Sequence, residues 1–131
     1  MNHLNPTDLP APAGPYSQAT LVHGPGQWLH IAGQVGIDKA GLAPAGIEEQ
    51  VELAWGHIVG ALRAAGMGME HVVKITTYLV DRADIAPMRP IRLRHLGEAR
   101  PASTLVLVQG LLDPLWRIEV EAIAFRPDPA V

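Results

Sequence analysis

Glu119 and Glu121 stand two residues apart in RIEVEAIAF, residues 117–125, where apolar and polar side chains alternate. In a strand such residues share a face and lie about 6.5–7 Å apart along it, near enough for two carboxylates to influence each other's protonation. A carboxylate pair of this kind can hold a water and move protons during a hydrolysis. It can equally be a solvated sheet face with Arg117 as ionic partner, and the pattern by itself favours that plainer reading. Ser103 beside Thr104 invites a nucleophile reading, but the neighbouring sequence supplies no evident base or oxyanion hole, so a strand serine is the better reading. The six histidines show neither H-x-H nor H-E-x-x-H spacing and there is no cysteine. No metal site, no cofactor, no disulfide and no thiolate nucleophile is expected.

Strand alternation sends Trp116, Ile118, Val120, Ala122 and Ala124 one way, under helices, and Arg117, Glu119, Glu121, Ile123 and Phe125 the other. The covering helix is read from Ile47 to Ala65. Ile47, Val51, Ala54, Trp55, Ile58, Ala61, Leu62 and Ala65 fall in a stripe about 120° wide, with Gly66 as its stop. Gly56 and Gly60 lie on its far face, which implies exposure or a close neighbour. His71–Val80 is rich in β-branched residues and reads as a strand. A second helix is expected over residues 84–97, kinked or starting late because Pro90 would fall inside it. Residues 18–23 and 27–33 read as a hairpin turning at Gly24-Pro25-Gly26, and 103–109 and 116–125 as the last strands. The order ββαβαββ defines an α+β fold, a single domain with both helices on one face of a mixed sheet. Residues 1–13, with three prolines, read as a flexible arm before a domain spanning 14–127.

The chain has 131 residues, 48% of them apolar but only 5% aromatic, so its core must be built from Ala, Val, Leu and Ile. A net charge of −3 argues against duplex nucleic acid or an anionic membrane as partner. One segment departs from this balance: residues 81–100 carry five arginines against three acids, a salt-bridged face or an anion patch. The N-terminus lacks the basic start and apolar stretch of a signal peptide, and no run approaches the ~18 apolar residues of a membrane span. A cytoplasmic protein is the expectation.

GPYSQA at 14–19, IAGQVG at 31–36, VVKITTYLVDRAD at 72–84, RPASTLVLV at 100–108 and RIEVEAIAF at 117–125 together resemble the Rid (reactive intermediate deaminase) family, also called YjgF-like or RidA-like. The resemblance covers residues 11–126. It implies a chorismate-mutase-like fold, a homotrimer and three clefts between subunits, each binding a small nitrogenous metabolite. In such proteins the carboxylate matching Glu119 holds the water that hydrolyses an enamine or imine to a ketone and ammonia. The resemblance therefore assigns Glu119 the catalytic role and sets Tyr16, Ala32, Gly33, Arg89, Ser103 and Leu105 against the substrate.

Three of those positions depart from the family. Ser103 stands where the family carries the arginine that grips the substrate carboxylate, Ala32 replaces a serine before Gly-Gln, and Arg89 replaces an asparagine. Serine offers neither charge nor fork, so binding of a small 2-imino acid should suffer, with Arg89 or Arg117 as candidate substitute cations. An altered imine substrate is one implication, and a non-catalytic metabolite- or partner-binding trimer is the other. Ribonuclease activity, sometimes attributed to the family, finds little support in a negative chain without an aromatic stacking platform.

Overall fold

The apolar stripe becomes α1, Ile47–Ala64, in the computed structural model, which describes residues 1–130. Val51, Ala54, Trp55, Ile58 and Leu62 are fully buried along it, while Glu48 and Glu49 occupy the first turn, where the helix dipole favours negative charge. Its end is a Schellman motif. The Gly66 amide donates to the Arg63 carbonyl (3.0 Å) and the Met67 amide to the Leu62 carbonyl (2.9 Å), with Gly66 at φ +68° where a side chain would be strained. Gly56 and Gly60 have open space around them, so exposure, not a close neighbour, explains them.

Six strands accompany it: β1 (Asn2–Leu4), β2 (Ala19–Leu21), β3 (Gly26–Val35), β4 (Val72–Leu79), β5 (Ala102–Leu107) and β6 (Ile118–Pro127). The main sheet has the order β3-β6-β4-β5. β6 is antiparallel to both neighbours and β4 is parallel to β5, so the sheet is mixed. Ile31, Ile75, Leu79, Ile118, Val120, Ala122 and Ala124 form its covered face, on which α1 and α2 (Ile85–Leu96) lie. The expected single α+β domain is thus present. The expected alternation of β6 holds except at Phe125, which is on the open face but buried because Trp28 leans on it at 4.8 Å between ring centroids.

The expected hairpin is replaced by another pairing. Gly24, at φ +85°, turns the chain, but β2 pairs with β1 in a separate two-stranded sheet, and β3 pairs with β6. The N-terminal arm is accordingly folded back: Asn2–Leu4 lies along Ala19–Leu21, and the Gln18 side chain donates to the Pro10 carbonyl (2.7 Å). A three-residue strand is too short to leave a periodic signal. α2 starts one residue later than expected, after a 3₁₀ turn at Arg82–Asp84, and runs through Pro90 without a break. The carbonyl that Pro90 cannot serve belongs to Ala86, in the exposed first turn, where water can satisfy it. No helix among the described residues is long and apolar enough to cross a membrane.

Gly36, at the end of β3, is pressed against α1: a Cβ there would lie 2.5 Å from the Gln50 Cα and carbonyl oxygen. Gly36→Ala should therefore lower stability by about 1–3 kcal/mol, while Gly56→Ala, free of contacts in a helix, should raise it by about 0.5–1 kcal/mol. Urea unfolding of both variants at one protein concentration checks the opposite signs.

Candidate functional site

The GPYSQA segment is fastened to the edge of the sheet before Tyr16 can be positioned. Ser17 is buried, its hydroxyl donating to the Arg100 carbonyl (2.6 Å) and its amide to the Pro101 carbonyl (3.1 Å), and it bridges to Ala102 at the start of β5. Tyr16 then folds back, its hydroxyl accepting from the Ala13 amide at 3.3 Å. Its ring borders a cavity of about 520 Å³ with Arg89, Arg92, Leu93, Ser103 and Leu105. Ser103 and Leu105 project there because they pair with Ile75 and Thr77 of β4, both buried on the helix-covered side. Leu107 pairs with the buried Leu79 and so shares that face, but it is more exposed and does not border the cavity.

Glu119 belongs to the opposite side. It pairs with Tyr78 and with Val35, on the open face of the sheet. β3 carries one extra residue between Ile31 and Gln34, a bulge containing Ala32 and Gly33 that brings the backbone against Glu119. A Cβ at Gly33 would lie 2.0 Å from Glu119 Oε2, so a side chain there would displace the carboxylate from its place against the strand. Of the seven nominated residues, Tyr16, Arg89, Ser103 and Leu105 converge at the cavity, and Ala32, Gly33 and Glu119 converge at the bulge. One chain does not bring the two sets together.

Glu119 also has a neighbour that the sequence pattern missed. Tyr78, on β4, donates its hydroxyl hydrogen bond to Glu121 Oε1. That bond pushes the Tyr78 hydroxyl above the ordinary tyrosine range, with further contributions from desolvation and from the charges of Glu121 and Glu119. The Glu119/Glu121 pair therefore shares its face with a phenol held in its protonated form. Tyr78 was legible as an alternate residue of a β-branched strand, but its partner 43 residues away was not.

The arginines divide by task. Arg117 is not the partner of Glu119 or Glu121. Its guanidinium forks onto the buried Asp84 carboxylate (Nη2 to Oδ1 2.7 Å, Nε to Oδ2 3.2 Å) and donates to the Ala45 carbonyl (3.0 Å), which fixes the entry of α2. This also removes Arg117 as a substitute for the family arginine. Arg94 pairs with Glu52, and Arg100 donates to the Gly97 and Ala99 carbonyls (2.8 Å each). Arg92 was not nominated. It borders the cavity from the same helix as Arg89, and the three-residue spacing that puts both on one side of α2 was the available signal.

Comparison with known proteins is specific. A family model described as Endoribonuclease L-PSP matches residues 6–126. A RutC family protein of Pyrococcus horikoshii is 40% identical over 121 residues, 91% of this chain and 93% of its own. A 2-iminobutanoate/2-iminopropanoate deaminase of Bos taurus is 37% identical over 125 residues, 94% of this chain and 88% of its own. Among solved structures, YyfB of Yersinia pestis, a Rid-family protein of unknown function, matches with a TM-score of 0.83 at 29% identity, covering 94% and 96% of the two chains. All of this defines one class, a small α+β domain with two helices on a mixed sheet. The chain belongs to the Endoribonuclease L-PSP family, together with its RutC, Rid and iminobutanoate-deaminase relatives.

The Tyr78 contact predicts a titration. In a Tyr16→Phe background, which leaves Tyr78 as the sole tyrosine, phenolate absorbance should emerge at a higher pH than for a free tyrosine. Glu121→Gln should move it back down, because the hydrogen bond to a carboxylate is lost and the repelling charge with it. Ultraviolet titration of the two proteins reads the difference.

Proposed function

We propose that this protein is a hydrolytic imine or enamine deaminase whose sites are completed between the copies of a homotrimer in the cytoplasm, and whose substrate differs from the small 2-imino acids. The observation that carries the reading is the division of the candidate residues between two faces of one sheet. A substrate that touches both Tyr16 with Ser103 and Glu119 with Gly33 has to lie between two copies. The deaminase relative at 37% identity supports the reaction class.

In this reading Glu119 holds a water against the bulge at Gly33. As the water oxygen bonds to the imine carbon, the double-bond pair moves onto nitrogen and Glu119 relays one water proton to that nitrogen, giving a carbinolamine. Glu119 then takes the carbinolamine hydroxyl proton and passes it to the nitrogen as the carbon–nitrogen bond breaks, so that a ketone forms and ammonia leaves. One water is consumed per ammonia released. Ser103 cannot hold a carboxylate bidentately, so a 2-imino acid is not anchored from β5 as in arginine-bearing relatives. The apolar Leu93 and Leu105 at the same cavity favour a larger ligand.

Light scattering during size-exclusion chromatography should give about three times the 14.0 kDa chain mass. A monomer at micromolar concentration would remove the shared site from the argument.

Against 2-aminoacrylate-derived imine generated in situ, the wild type should be about tenfold or more slower than an arginine-bearing relative, which is the worth of a charged hydrogen bond. Glu119→Gln should lower any residual rate about a hundredfold. Ser103→Arg should restore part of the difference, since Leu105 and Ala32 still shape the cleft. Wild-type turnover at the relative's rate would sink the altered-substrate reading. Binding of imine analogues without turnover of any panel member would favour the rival reading, a non-catalytic metabolite-binding trimer.

A further inference from the structure

We propose that Arg92, carried on α2, is the anion-binding residue of the 520 Å³ cavity, and that its ligand is a carboxylate with an apolar tail. The identity of the reacting carbon rests on the deaminase reading, whereas the anion site is read out by binding alone.

The geometry begins at the Gly14–Tyr16 turn. A point one Cβ out from Gly14 lies 3.9 Å from Arg92 Nη2 and 3.7 Å from the Tyr16 ring, so both side chains border this turn. Behind them is a recess of about 10 Å³, bordered by Tyr16, Trp55, Arg92 and Ser103. That is room for about one water-sized group. Two of the residues bordering it each hold a buried N–H donor, Arg92 Nε and Trp55 Nε1, that has no hydrogen-bond partner among the described residues. Buried donors are ordinarily satisfied, and leaving one unpaired costs about 1–3 kcal/mol. Ser103 borders the same recess, so the residues around it carry donors and no carboxylate.

Charge points the same way. The other arginines of this region with described partners are committed, Arg117 to Asp84, Arg94 to Glu52 and Arg100 to backbone carbonyls. Neither Arg92 nor Arg89 meets a carboxylate among the described residues. Desolvation and then the neighbouring charge of Arg89 both work against the Arg92 cation, lowering its affinity for the proton. A bound anion relieves both. The short side chain of Ser103 matters here, because an arginine on β5 would set a second guanidinium against the same recess. Ser103 thus leaves the recess to the guanidinium carried by α2. The cavity's other wall, Ile85, Leu93 and Leu105, receives the tail.

The test uses the intact wild-type protein, titrated calorimetrically with 4-methyl-2-oxopentanoate, with its carboxamide and with inorganic phosphate. We expect the carboxylate to bind at least about tenfold more tightly than the other two, and the Arg92 Nε–H resonance to shift during its titration. Arg92→Met should cost the carboxylate about tenfold or more and leave the carboxamide unchanged, while Arg92→Lys should lose less. Equal binding of carboxylate and carboxamide, tighter binding of phosphate, or an unmoved Arg92 resonance overturns the proposal without any variant having to fold. So does unchanged carboxylate affinity in Arg92→Met. Carboxylate binding through Arg92 with no imine turnover would remove the deaminase reading and leave the anion site standing.

Discussion

Because β6 lies inside the sheet, between β3 and β4, each of its side chains must go under the helices or onto the opposite face. Ile118, Val120, Ala122 and Ala124 seal one side beneath α1, and this obliges Glu119 and Glu121 to stand on the other. The core and the carboxylate pair are therefore one decision taken by one strand. A slip of one residue would bury two acids and expose the centre of the core, so register is fixed by a penalty of many kcal/mol. The bulge in β3 then spends its extra residue at the place where Glu119 needs room.

The arginines around α2 illustrate how one residue type serves different physical ends. Arg117 reaches a buried carboxylate with Nε and Nη2 and a carbonyl with Nη1, an arrangement that pairs its charge and orders the start of the helix. Gln50, buried at the start of α1, completes that corner by donating to the Pro44 and Leu115 carbonyls (2.8 and 3.0 Å) and accepting from the Arg117 amide (2.8 Å). Arg92 has no such compensation within the described residues. The contrast lies between two side chains of the same chemistry, which makes composition a poor guide to either.

What could be read from the sequence was what repeats. The stripe of α1 and the alternation of β6 each involve five or more residues obeying one period, and both elements were visible with their faces assigned. The family resemblance singled out Glu119 and Tyr16 as candidates, but not that a single chain holds them on opposite sides of a sheet. Pairing of β2 with β1 was not legible, because Gly24-Pro25-Gly26 announces a reversal without naming the strand that receives it. The Asp84 partner of Arg117 is 33 residues distant, and such contacts leave no local pattern. Phe125 obeyed the period yet became buried, since an aromatic neighbour at Trp28 supplied the cover that the helices did not.

α2 connects two parallel neighbours, β4 and β5, so it must cross the sheet whatever its surface carries. Only Met88 and Leu96 of its twelve residues are buried in the core. Ile85 and Ile91 pack against that core at its rim, and Arg94 and His95 reach Glu52 of α1, so the helix is held along one side while its exposed positions are less constrained. Cavity-facing positions on such an element can be substituted without disturbing the sheet that carries Glu119. Ligand preference can in that way drift between relatives through one helix, while the strand bearing the carboxylates stays under the constraint of the core.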